Sequence, residues 1–123
     1  MPFFRMVHVA EDEQQAVAIP RDSLTWVRDL NSLRRTLTGG SEIYMDLDHW
    51  RRTRTIELPT YESELHTTAY FGTPEYLVQR LRQLQERHQV QYFGASMSFG
   101  TMQHADVMRS MDLFAREVMP KFR

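Results

Sequence analysis

The segment that most narrows the folds open to this chain is "FFRMVHVA", residues 3–10. Its bulky and β-branched residues run too briefly for a helix, and Val7 and Val9 share one strand face while Met6 and His8 share the other. A strand apolar on both faces belongs in a buried parallel sheet, which needs helices to cover it. Glu11, Asp12 and Glu13 follow at once and place negative charge where a helix has its positive N-terminal end, so a helix is predicted to start near Asp12. Pro20 removes a hydrogen bond from that helix, and Asp22 or Ser23 can cap a restart. The restarted stripe is predicted at Leu24, Val27, Leu30 or Asn31, Arg34 and Leu37, and the split helix ends at Gly39-Gly40.

The second half carries the same alternation. In "GTPEYLVQRLRQLQERH", Thr73 is a natural N-cap, Pro74 suits the first helical position, and Leu77, Leu81 and Leu84 make a buried stripe ending near His88. "VQYFGASMSFG" then reads as a second strand closed by glycine. The final helix has apolar residues at Val107, Met108, Met111, Phe114, Ala115, Val118 and Met119, an Asp112–Arg116 pair in the favourable order, and Pro120 as its stop. Between these halves, residues 40–70 mix aromatic and charged residues at no sustained period, although "MDLDHWRR" could form a short helical turn. A loop this long is either an exposed connection anchored by residues such as Trp50 or a mobile lid hinged at Gly39-Gly40.

The chain of 123 residues suits one domain, and a formal net charge of −1 with interspersed signs leaves no basic face for nucleic acid. The absence of cysteine removes disulfides, thiolate zinc sites and thiol nucleophiles. "MPFFRMVHVAEDE" runs straight into acids and fails as a signal peptide, and no apolar run is long enough to span a membrane. A cytoplasmic location with no membrane partner is therefore expected.

"FRMVHVAEDEQQA", "GTPEYLVQRLRQL" and "VQYFGASMSFGTMQHADVMRSMDLFAREVMPKFR" together resemble the C-terminal portion of the luciferase-like flavin-dependent monooxygenases. The resemblance covers nearly the whole chain in order and is weakest between residues 40 and 70. It implies an α/β fold, the C-terminal part of a (β/α)₈ barrel, helix-rich with a long insertion. The two strands would be the seventh and eighth of that barrel. Residues 1–38 would form a strand and split helix, 39–70 a lid-like insertion, and 71–123 a helix, the last strand and the closing helix, all in one partial-barrel domain. The resemblance also implies reduced flavin mononucleotide (FMN) as cofactor and a small organic substrate. With the earlier strands missing, as in a fragment or a shortened reading frame, most of the flavin site would be missing too, so the chain would not be competent alone.

In such a barrel the site forms at the carboxyl ends of strands, here Ala10-Glu11 and residues 97–104. The pocket-facing candidates are His8, Glu11, Ser98, Phe99, Met102 and His104. His8 reads equally as a hydrogen-bonded core histidine, and His104 as a capping or solvent-facing residue. No histidine pair has metal-ligand spacing, so no metal is expected, and no catalytic residue is assigned. Three functions follow: a flavin-dependent monooxygenase, a deazaflavin-dependent hydride-transfer enzyme, or a non-catalytic remnant that self-associates. Two strands leave open edges and apolar helix stripes, so a homo-oligomer whose interface includes the final helix is expected.

Overall fold

The run apolar on both faces becomes strand β1 (Pro2–Val9), the centre of a three-stranded parallel sheet of order β2-β1-β3. The computed structural model describes residues 2–38, 48, 51–52 and 58–122. β2 (Ala69–Gly72) pairs with the carboxyl half of β1, from Met6 opposite Ala69 to Val9 opposite Gly72. β3 (Tyr92–Ser96) pairs with the amino half on the other side, from Pro2 opposite Tyr92 to Met6 opposite Ser96.

The helices form where their caps direct them. Asp12 Oδ1 accepts the Gln14 N–H at 2.8 Å and opens α1 (Glu13–Ala18), and Pro20 separates it from α2 (Arg21–Thr38), the split that its fixed φ and missing N–H predict. After a short helix α3 (Tyr61–Glu64), capped by Thr60, comes β2, and then α4 (Pro74–His88) with Thr73 as N-cap. Leu77 and Leu84 of α4 are buried and Leu81 packs beside them, as the spacing predicts. α5 (His104–Leu113) continues through a π-helical turn (Phe114–Val118) into a 3₁₀ turn (Met119–Phe122).

Alternation along β1 divides the molecule into two cores. Val7 and Val9 face α4 and α5 and cluster with Tyr70, Leu77, Leu84, Met97, Leu113 and Val118. Met6 faces the other way, into a cluster with Leu24, Tyr61, Ala69, Phe71 and Phe99 under α1 and α2. Helices on opposite faces follow from the strand order. The β1 to β2 connection moves one way across the sheet and the β2 to β3 connection moves back past β1, so crossovers of one hand must use opposite faces.

This topology overturns the partial-barrel reading. In a (β/α)₈ barrel consecutive strands are neighbours and all helices lie outside, whereas here β1 separates β2 from β3, helices lie on both faces, and the sheet is not closed. The fold is an open α/β sheet. The expected lid also changes: residues 39–47, 49–50 and 53–57, with the proposed hinge and Trp50, lie outside the described residues. Asp48, Arg51 and Arg52 are helical, and Arg51 Nε donates to the buried Asp29 carboxylate at 2.9 Å. Ala69 and Tyr70, assigned to the insertion, belong to a strand buried along its whole length.

Two helix stripes differ from those predicted. On α2, Leu24 and Leu33 are buried and Val27 packs against the cluster that holds Leu24, while Leu30, Asn31 and Arg34 are exposed. On α5, Val107, Ser110 and Leu113 are buried and Met108 and Met111 are exposed. The five-residue step from buried Leu113 to buried Val118 is absorbed by the π turn, in which the Met119 N–H donates to the Phe114 carbonyl.

Candidate functional site

A polar cleft of about 310 Å³ opens at the carboxyl end of β1, between α1 and α5. β1 contributes His8 and Val9, followed by Ala10 and Glu11; α1 contributes Gln15; α5 contributes Asp106, Arg109 and Asp112; and the π turn after α5 contributes Arg116. Its position has a structural cause. The fully buried Ser110 hydroxyl accepts the Val9 N–H at 2.9 Å, which draws α5 across the end of β1 and sets its charged face beside His8. The orphan N–H at the strand end is thereby satisfied.

His8 is buried, meets the Phe71 ring edge-on with centroids 6.5 Å apart, and has its Nδ1 enclosed without a hydrogen-bond partner. Burial holds its pKa below the ordinary 6.5, partly opposed by the nearby Asp106 carboxylate and reinforced by Arg109. The imidazole is therefore neutral near neutral pH, with a ring nitrogen that binds no protein group. Around it, Arg109 pairs with Asp106, and Arg116 Nη2 lies 2.8 Å from Asp112 Oδ2. Glu11 is exposed at the rim. Three carboxylates against two guanidiniums suit a polar ligand that donates hydrogen bonds better than one presenting a bare phosphate.

The sequence candidates do not all converge on this cleft. His8 and Glu11 line it. Phe99 is buried and stacks on Phe71 with centroids 5.7 Å apart, and Met102 packs against the same cluster, so both serve the α2-side core. Ser98 is exposed, and His104 is exposed as the first residue of α5. Asp106, Arg109 and Gln15 were not singled out in the sequence. Their signal was available in part: Asp106, Arg109, Asp112 and Arg116 follow one another at spacings of three, three and four, the spacing of a single helix face. Among the described residues no three His, Asp or Glu side chains gather as metal ligands, and no helix is long and apolar enough to cross a membrane.

The burial of His8 predicts a pH dependence. The unfolded chain binds a proton at His8 below about pH 6.5 while the folded chain resists it, so the unfolded state gains protons first and stability falls as pH drops through that value. Urea unfolding measured between about pH 7.5 and pH 5 should show this loss. A His8→Gln variant should lack that part of the slope; an identical slope would remove His8 as its source.

An open parallel sheet with helices on both faces, and a polar cleft at the carboxyl ends where the strand order reverses, is the architecture in which open α/β proteins hold small molecules. Neither a family model nor a curated protein matches the chain. With the barrel geometry gone and no such match, the labels oxidoreductase, monooxygenase and TIM barrel drawn from the resemblance are withdrawn as descriptions of this chain.

Proposed function

We propose that the chain is a small-molecule-binding α/β module that acts as a self-associated assembly in the cytoplasm and is not catalytically competent as a single copy. The observation that carries this reading is a bare half of the sheet. On the α2-side face, Pro2, Phe4, Tyr92 and Ser96 are exposed, with Phe4 at 67 % and Tyr92 at 71 %, and the Phe4 ring leans across Gly94. Parallel sheets are normally covered on both faces, and the outer edge of β3 adds unpaired backbone groups.

The occupant best suited to that patch is a second copy of the chain. The exposed residues carry no charge, so the patch is complementary to itself about a two-fold axis. Burying one large apolar side chain contributes roughly 1.5 to 3 kcal/mol, enough that two aromatics on each copy favour pairing. The final helix is a poorer centre for the interface, because Val118 is fully buried and Phe114 packs into the core of its own chain.

The resemblance to luciferase-like enzymes makes reduced FMN the first ligand to test, with a reduced deazaflavin as the second. The charge balance of the cleft predicts weak binding of either phosphate-bearing flavin in that cleft. Sedimentation equilibrium at micromolar concentration should show a dimer or higher oligomer, and Phe4→Glu should yield a folded monomer because Phe4 is mostly exposed. A stable monomeric wild-type chain would overturn the assembly reading. In anaerobic titration, a dissociation constant for reduced FMN in the low micromolar range would overturn the reading that the chain alone is not competent.

A further inference from the structure

Arg5 breaks the pattern that defines β1. It shares the face of Val7 and Val9 in the central strand, yet it carries a charge that no described carboxylate meets. Its Nε donates to the Thr67 carbonyl at 2.9 Å and its Nη1 to the Phe4 carbonyl at 2.8 Å, while its guanidinium lies 4.0 Å from the Phe3 ring centroid and 6.0 Å from that of Tyr70. Arg80 of α4 reaches the same Tyr70 ring at 5.1 Å. It donates to Gln83 Oε1 at 3.0 Å and to the His66 carbonyl, and its Nε is buried with no partner. Two cations thus share one aromatic ring.

Arg87 follows two turns later on α4, so it falls on the same helix face as Arg80, and His88 stacks on Phe3 with ring centroids 6.5 Å apart. Arg5, Arg80, Arg87, His66 and His88 line one cavity of about 230 Å³, closed on its apolar side by Phe3, Tyr70 and Leu84. No carboxylate lines it, and among the described residues none of the three arginines has an ion-pair partner. Bringing like charges together over a half-buried floor is unfavourable until an anion joins them.

We propose that this cavity binds the phosphate group of a small molecule. Guanidinium groups present paired N–H donors that match phosphate oxygens, and Arg5 and Arg80 are already held in place by carbonyls and the Tyr70 ring, so little side-chain freedom is lost on binding. A multiply charged phosphate answers three guanidiniums better than a single carboxylate does. The cavity has the volume for a phosphate and a small attached group, and Phe3 and Tyr70 supply apolar walls beside it. It lies under α4, on the opposite sheet face from His8, and is separate from the cleft at the carboxyl end of β1.

Isothermal titration of the full chain at constant ionic strength, with pyrophosphate and with phenyl phosphate, tests the assignment. Both should bind saturably; stronger binding of pyrophosphate identifies the free anion as the ligand type, and stronger binding of phenyl phosphate identifies an ester. Arg87→Gln, at an exposed position, should weaken binding about tenfold without moving the thermal midpoint, and Arg87→Lys should recover part of the loss. Arg5→Gln should abolish saturable binding. If that variant unfolds, Arg87→Gln alone decides. Failure of both probes to saturate at about 10 mM, or equal affinity in wild type and Arg87→Gln, overturns the proposal.

Discussion

Replacing Phe71 by alanine should lower the unfolding free energy by about 3 to 5 kcal/mol. Phe71 is 1 % exposed in β2 and is the hub of the α2-side core. It stacks on Phe99 at 5.7 Å, tilts against Tyr61 at 6.3 Å and meets His8 edge-on at 6.5 Å. Truncation forfeits the transfer of the ring from water and leaves a cavity, because partners on a strand, a helix and a loop cannot all close on the same space. The loss is a large share of a usual stability of about 5 to 15 kcal/mol. The His8 wall of the cleft would loosen as well. Equilibrium urea unfolding followed by tryptophan fluorescence measures the change, and a loss below about 1.5 kcal/mol would mean that the second core is not organised around this ring.

Gly100→Ala should be the most damaging of the glycine replacements. Gly100 has φ +59°, where a Cβ costs about 1 to 3 kcal/mol for residues other than glycine. An added Cβ would also stand 2.5 Å from the Ser23 carbonyl oxygen, a backbone atom held within α2, so the loop cannot relieve the contact without lifting from the helix. The matching control is Gly94→Ala. There the atoms nearest the added Cβ belong to the exposed Phe4 ring, which can swing into solvent, and the expected cost is within about 1 kcal/mol. Thermal melts of the two variants should separate clearly. Equal midpoints would show that the turn after β3 yields and that its contact with α2 is not rigid.

The parts that the sequence itself determined are those whose signals are local. β1 was legible because it is apolar at successive positions, and the split between α1 and α2 because Pro20 lacks the N–H that a continuous helix needs. α4 was legible because a cap, an N-terminal proline and a leucine stripe fall at helical spacing. β2 was not, because four residues flanked by Thr68 and Thr73 and ending in a glycine carry too short a pattern to separate from a loop. His8 and Glu11 could be placed near a site from their position at a strand end, but that a charged face of the final helix meets them there could not.

Tertiary structure alone decided the order of the strands. Backbone hydrogen bonds between segments distant along the chain place β1 between β2 and β3, and no local periodicity records that choice. The same long-range pairing turned an expected barrel fragment into an open sheet with helices on both faces. It also drew α5 onto the end of β1 through Ser110, and gathered Arg5, Arg80 and Arg87 around Tyr70. The chain's own chemistry dictates which segments can be helix or strand, because caps, proline and side-chain spacing act within a few residues. Which segments meet depends on burial and hydrogen bonding summed over the whole fold, and that sum exists only once the chain has closed on itself.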